Sequence, residues 1–289
     1  MRTLTLEEEQ KIIDLYVNHH KGQMACAYEV LHIKNGDYTK AVLKKYNIPI
    51  RNFSQATILS NKKRAKFKNE NYFATESHNM AWILGFLASD GSIRLNRNEI
   101  KIGLSIKDKE ILEKIKQEIQ IENEIKEYTT SSGHDCCRLT WTCEKHKQDL
   151  AKYFIIPQKT FKLKPPYKLD KKYWIDYIRG YFDGDGSVNL IINSNGRGNG
   201  NLRWQVASAT KEILEFIVNT FYEMYNIPKV NILCDIKHNN GADLYYIQYS
   251  STATRKIYNI LYTPNSLYLK RKKDKFEEVL KLVKPLNEI

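Results

Sequence analysis

The stretch "DYIRGYFDGDGSV", residues 176–188, ends an aromatic and apolar run on Asp183, Asp185, two glycines and Ser187. Acidic residues are unexpected there in a chain with a net charge of +13. A calcium loop is excluded, although Asp183, Asp185 and Ser187 fall at the first three ligand positions of an EF-hand. Val188 stands where that loop needs glycine, and Ser194 where it needs the bidentate glutamate. A solvated Asp-Gly turn is the plainer reading. A second copy weighs against it: "AWILGFLASDGSI", residues 81–93, aligns Gly85 with Gly180 and Asp90 with Asp185, followed in both by Gly-Ser-apolar. The chain therefore carries an internal duplication, its two aspartates 95 positions apart.

At 289 residues the chain is long enough for about two domains and a sizeable core. Its 46 Lys and Arg against 33 Asp and Glu are spread along the sequence, and residues 1–75 hold 13 basic and 7 acidic side chains. Interleaved with 19 tyrosines and 10 phenylalanines, that excess is the footprint of a polyanion binder, which points to nucleic acid. The start "MRTLTLEEEQ" lacks the apolar core of an export signal, and no apolar run approaches the ~20 residues that cross a bilayer. The expectation is a protein without membrane association that is not secreted: cytoplasmic, in a bacterial or phage-infected cell, or organellar. Five cysteines suit a reducing compartment. A zinc site from Cys136, Cys143 and His146 lacks any CxxC pair, and alternation instead puts Cys137, Leu139, Trp141 and Cys143 on one apolar strand face.

Residues 6–19 show helical spacing behind an acidic first turn, and shorter helical patterns follow near 23–32 and 37–46. Three short helices with a net positive charge suggest a helix-turn-helix unit over residues 1–60, a plain three-helix bundle being the alternative. "TKAVLKKYNIPIRN" is similar to the recognition helix and trailing arm of such units in recombinases and mobile-element proteins. Residues 61–75 read as a basic linker able to lie along phosphates.

After each Asp-Gly-Ser the same order recurs: hairpin, helix, hairpin, helix. Repeat 1 spans 76–170 and repeat 2 spans 171–289. The fold class is α+β, two pseudo-symmetric αββαββα repeats behind a small all-α domain. Each repeat forms a four-stranded antiparallel sheet with helices on one face and the other face open for a ligand.

Gly85 and Ser89, and likewise Gly180 and Gly184, sit four residues apart on one helix face. Small residues at that spacing let two helix backbones approach closely. The two motif helices are therefore expected to pack on Gly85 and Gly180 and to deliver Asp90 and Asp185 side by side, with Gly91 and Gly186 taking the left-handed turn that stops each helix. Paired carboxylates repel unless a cation neutralises them, and hard oxygen ligands favour Mg²⁺, with Mn²⁺ able to substitute. The minor groove of B-DNA is roughly 6 Å wide, so two adjacent metal sites can each address one strand, for phosphodiester hydrolysis.

On these residues the chain resembles the single-chain, two-repeat LAGLIDADG homing endonucleases over about residues 76–289. The resemblance implies that the eighth motif positions, Asp90 and Asp185, are the essential acids, and that the carbonyls of Ser89 and Gly184 complete the metal shell. Copy one departs at the sixth position, with Ala88 where copy two has Asp183. The resemblance also implies a lysine near each active site, matched to Lys159 in "IPQKTFKLKPP" and Lys272 in "LYLKRKKDKF", with Lys270 and Arg271 close competitors. It further implies that the sheets act as saddles in the major groove. Arg94, Asn96, Lys101, Ser105, Arg138 and Thr140 would face DNA from the first sheet, and Asn189, Arg203, Gln205, Lys237 and Gln248 from the second, all types that reach base edges or phosphates.

The function expected is a site-specific double-strand DNA endonuclease of a mobile element or phage, a monomer acting on a long asymmetric target. An intein is disfavoured by the Met1 start and the "PLNEI" end, which lack a splice-junction nucleophile and a terminal His-Asn. The rival reading is an intron RNA maturase or a non-cleaving DNA-binding regulator on the same fold. Regulators of that type tend to lose the acids, whereas both are present here.

Overall fold

A computed structural model of the chain describes residues 2–52, 55–56, 69–191, 201–235 and 243–282. The chain divides into two units, Met1–Ala65 and Lys66–Ile289. In the first, α1 (Leu6–Val17) starts at a capping box: the Thr5 hydroxyl accepts from the Glu8 backbone N–H, and the Glu8 carboxylate accepts from the Thr5 N–H at 3.0 Å. Its Ile12, Leu15 and Tyr16 pack with Cys26 and Leu31 of α2 (Gln23–Leu31) and Val42 and Leu43 of α3 (Asp37–Lys45). The described helices match the expected three to within two residues. Arg51, in the trailing arm, lies 3.7 Å from the centroid of the Tyr16 ring and donates to the Tyr16 and Lys21 carbonyls. This end of the arm thus closes the bundle. Most of the expected basic linker, 61–68, lies outside the described residues.

The second unit is built on two nearly all-buried helices, α4 (His78–Ser89) and α7 (Trp174–Asp185). A helix apolar on all sides belongs in an interior, and α4, buried from Met80 to Ala88, packs against α7. Behind α4 come β1 (Gly91–Ile93), β2 (Glu99–Ser105), α5 (Lys109–Ile119), β3 (Lys126–Thr129), β4 (Asp135–Thr142) and α6 (Glu144–Ala151). Behind α7 come β5 (Gly186–Ile191), β6 (Asn201–Ser208), α8 (Lys211–Tyr225), β7 (Leu233–Asp235), β8 (Leu244–Ser250), α9 (Ser251–Leu261) and an additional helix, α10 (Lys270–Leu282). Each repeat forms an antiparallel four-stranded sheet, in the orders β1-β2-β4-β3 and β5-β6-β8-β7.

The registers are equivalent in the two copies. Gly91 pairs with Ile102, which pairs with Leu139; Gly186 pairs with Val206, which pairs with Ile247. Alternation puts Ile100, Ile102, Cys137, Leu139 and Trp141 inward in the first sheet, and Leu202, Trp204, Val206, Ile247 and Tyr249 inward in the second. Polar side chains take the other face. Cys143 is buried with this set, and its Sγ accepts from the His146 backbone N–H. The five cysteines are free thiols. No helix among the described residues is long and apolar enough to cross a membrane.

Candidate active site

At the crossing of α4 and α7 there is no room for side chains. A Cβ on Gly85 would collide with the Tyr177 carbonyl, and one on Gly180 with the Trp82 carbonyl. One turn further on, a Cβ on Gly184 would strike the Ser89 hydroxyl and come within 3.0 Å of the Asp90 carboxylate. The C-terminal ends of the two helices therefore converge, and Asp90 of one motif lies against the backbone of the other. The glycines that follow act differently from the expectation. Gly186 is extended, with φ −84° and ψ 163°, and Gly91 does not have a positive φ either. A side chain at Gly91 would press on Leu87 and one at Gly186 on the Phe182 ring, so these glycines serve a close approach and not a left-handed turn.

Both carboxylates reach solvent, yet the protein around them removes part of their water shell. Burial pushes the Asp90 carboxyl up to about 6, the negative charge of Asp185 adding to the rise, against the pull of Lys272, Lys159 and Arg271. Burial raises Asp185 too, opposed by Lys159 and Lys272. A lysine from each repeat reaches the same place in its copy. The Lys159 ammonium donates to the Gly91 carbonyl at 2.6 Å and to the Ser89 carbonyl at 3.2 Å, and the Lys272 ammonium donates to the Gly186 carbonyl. Burial holds both ammonium groups below their ordinary value. The neighbours of Lys272 point elsewhere: Lys270 pairs with Asp274, and Arg271 makes a forked contact of 3.0–3.2 Å to the buried Asp108 of the opposite repeat.

Two carboxylates brought together, both with raised pKa values, suit a hard divalent cation. Among the described residues no three His, Cys, Asp or Glu side chains converge in a way that could hold a metal. An ion here would rest on Asp90 and Asp185, backed by the carbonyls of Gly184 and Ser89, the latter shared with Lys159, and would keep water or substrate oxygens for the rest, as Mg²⁺ tends to. A concavity of about 580 Å³ opens beside them, with Asp90, Gly184 and Arg271 among its lining residues together with Lys101, Ser105 and Tyr128.

Of the residues expected to face DNA, Lys101 pairs with Thr140 across β2 and β4, and Arg138 sits 5.4 Å from the ring centroid of Tyr128. Arg94 and Asn96 are exposed beyond the end of β1. In the second sheet Asn189 pairs with Arg203, and Gln248 donates to Gln205 at 3.2 Å. Lys237 lies outside the described residues. Sequence reasoning missed three side chains around the site: Arg271 as a brace between repeats, and Arg179 and Asp183 as buried anchors. The signal for the last two was present, because copy one has Leu84 and Ala88 at those positions.

Residues 77–153 match the family model of the LAGLIDADG-like domain. Most of repeat 1 is thus similar to a LAGLIDADG-like domain. The second copy of the duplicated motif heads a repeat with the same order of elements and strands. The chain is 24% identical over 168 residues to the uncharacterized protein MJ0314 of Methanocaldococcus jannaschii, a match covering 54% of this chain and about half (56%) of the relative's length. Among solved structures it is similar to the LAGLIDADG meganuclease I-AabMI bound to uncleaved DNA, at 13% identity over 72% of this chain and 90% of that one, with a TM-score of 0.46. It is also similar to the homing endonuclease I-WcaI bound to its DNA recognition sequence, at 17% identity over 80% and 97%, with a TM-score of 0.45. The N-terminal LAGLIDADG domain of DUF199/WhiA is similar at 16% identity over 81% and 98%, with a TM-score of 0.42.

Proposed function

We propose that the protein is a site-specific DNA endonuclease of the kind carried by mobile elements or phages, hydrolysing phosphodiester bonds on both strands. The observation that carries this reading is the duplicated site: Asp90 and Asp185 at converging helix ends, each with a lysine donating to the glycine carbonyl that follows the acid. Two equivalent sets side by side suit two strands separated by a minor groove. Bound divalent metal would supply charge neutralisation at the scissile phosphate and a more acidic attacking water.

The chain's own groups do the rest. Asp90 and Asp185 bind as carboxylates, and the glycine contacts between α4 and α7 fix their separation. Lys159 and Lys272 stand beside them as proton-bearing donors that orient solvent at each phosphate. The polar open faces of the two sheets, carrying Lys101, Arg138, Arg203 and Gln205, hold and read the duplex. Water adds to phosphorus and gives up one proton to the surrounding solvent network, the bond from phosphorus to the leaving sugar oxygen breaks, and that oxygen takes up a proton from the same network.

The deciding experiment incubates the whole protein with a randomised double-stranded DNA library and Mg²⁺ and sequences the cut ends. The expected result is one long, asymmetric site cut on both strands. Bound but uncut enriched DNA would instead indicate a non-cleaving regulator, and neither bound nor cut DNA would overturn the reading.

A further inference from the structure

The two motif helices are equivalent in backbone but not in what they hold. On α7, Arg179 and Asp183 are fully buried, where α4 has Leu84 and Ala88. Burying charge is costly unless every polar atom is matched, and each residue directs two of its three hydrogen bonds at the chain that leads into α10. Arg179 donates to the carbonyls of Leu261 and Leu267 at 2.9 and 2.8 Å and to Asp176 at 2.6 Å. Asp183 accepts from the Leu269 backbone N–H at 2.9 Å, from the Tyr262 hydroxyl at 3.0 Å and from the Trp82 indole at 2.9 Å.

Leu269 immediately precedes α10. Its carbonyl accepts from the backbone N–H groups of Lys272 and Lys273, at 2.9 and 3.2 Å, so the residue whose N–H is held by Asp183 also sets the first turn containing Lys272. A shift of Leu269 would carry the Lys272 ammonium away from the Gly186 carbonyl.

We propose that Asp183, with Arg179, is a positioning residue for Lys272: the two buried side chains pin residues 267–269 and so fix where α10 presents its lysine to the second half of the site. The inference rests on the endonuclease reading for its effect on cleavage, but the pinning itself does not. Repeat 1 lacks this anchor, so its Lys159 does not depend on it. The effect is therefore confined to one half of a two-fold site, and loss of the anchor impairs the cutting of one strand.

The geometry also predicts which substitution rescues. The Leu269 and Trp82 donors meet the same oxygen of Asp183, and the Tyr262 hydroxyl meets the other. An asparagine can keep its oxygen toward the first two and turn its amide toward Tyr262, whose hydroxyl then accepts. Asp183→Asn should therefore preserve the anchor, and Asp183→Ala should remove it.

The test combines hydrogen exchange of residues 262–272 in the free protein with strand-resolved cleavage. In Asp183→Ala, amide exchange around Leu269 should quicken at least about tenfold. One strand should be cut at least about tenfold more slowly while the other stays within about threefold, with the loss in kcat and not KM. Asp183→Asn should match wild type in both, and adding Asp183→Ala to Lys272→Met should cost nothing further. Equal slowing of both strands, unchanged exchange in Asp183→Ala, or loss of cleavage in Asp183→Asn with the exchange of wild type would each overturn the inference. If Asp183→Ala does not fold, Asp183→Asn decides by the same criterion. If wild type cuts no DNA, the endonuclease reading falls and the exchange measurement alone decides the anchor.

Discussion

The indole N–H of Trp82 on α4 donates to the Asp183 carboxylate of α7 at 2.9 Å, a bond from one repeat into the other. The equivalent pair in the opposite direction is Tyr177 and Ala88, and there the bond has no counterpart: the Tyr177 hydroxyl is fully buried and has no hydrogen-bond partner among the described residues. Leaving a buried hydroxyl unpaired costs about 1–3 kcal/mol. Tyr177→Phe should therefore be neutral or raise stability by about 1 kcal/mol, as measured by urea unfolding. A clear loss would show that the hydroxyl has a partner.

At the helix crossing, sterics decide. Gly180→Val adds a branched side chain where even a Cβ meets the Trp82 carbonyl. Overpacking of this sort costs about 1–3 kcal/mol or more, because backbone has to move. Displacing the paired aspartates by about an ångström should lower Mg²⁺-dependent cleavage roughly a hundredfold. Wild-type melting and cutting in this variant would show that the two helices do not pack on each other at Gly180.

The order of elements was legible because each follows from local pattern: alternation in the strands, helical period between them, and Gly85 and Gly180 repeated with small residues four positions later. The structure brings those positions together, Gly85 and Gly180 at the crossing and Ser89 and Gly184 at the helix ends beside Asp90. The lysine that accompanies Asp185 was legible only through the resemblance, which pointed to Lys272 but left Lys270 and Arg271 as competitors; where α10 starts, just after Leu269, decides which one points inward. That start depends on a contact between residues 86 positions apart. Gly91 and Gly186 misled for another reason. A glycine required by a close neighbour and one required by a positive φ look the same in a sequence.

If Asp90 and Asp185 are the metal ligands of the two halves, replacing either by asparagine removes a charge without changing shape. Asp90→Asn and Asp185→Asn should each bind target DNA within about threefold of wild type and lose cutting of at least one strand by roughly a hundredfold or more. Strand-resolved gels read this directly. Normal double-strand cutting by Asp185→Asn would refute the assignment.

The Met1–Ala65 unit has its own core around Ile12, Leu15 and Leu43. If it is a DNA-binding module, removing it should shorten the protected footprint at one end and flatten the salt dependence of binding by about one unit of slope per lost phosphate contact. The remaining chain should still cut. An unchanged footprint would leave the unit without a role on DNA.

His146 gives the fold an acid-sensitive point far along the chain from either aspartate. It is fully buried, accepts the Trp141 indole N–H on Nδ1 at 3.1 Å, and meets the Asn69 carbonyl through Nε2 at 2.8 Å. The carbonyl can only accept, so the proton sits on Nε2 and the ring is neutral. A second proton on Nδ1 would face the indole N–H, donor against donor. Burial accordingly lowers the pKa of this histidine below its ordinary 6.5. With the folded value below the unfolded one, the stabilisation is fully present above about pH 6.5 and is lost as pH falls toward the folded value. Asp90 and Asp183, raised to about 6, change stability in the opposite sense over part of this range. A comparison of wild type with His146→Gln cancels them, because both proteins share those carboxyls. The glutamine variant should be less stable at pH 7.5, having lost the acceptor for Trp141, and its melting temperature should fall less between pH 7.5 and 5. Parallel melting curves over that interval would assign the acid sensitivity to another group.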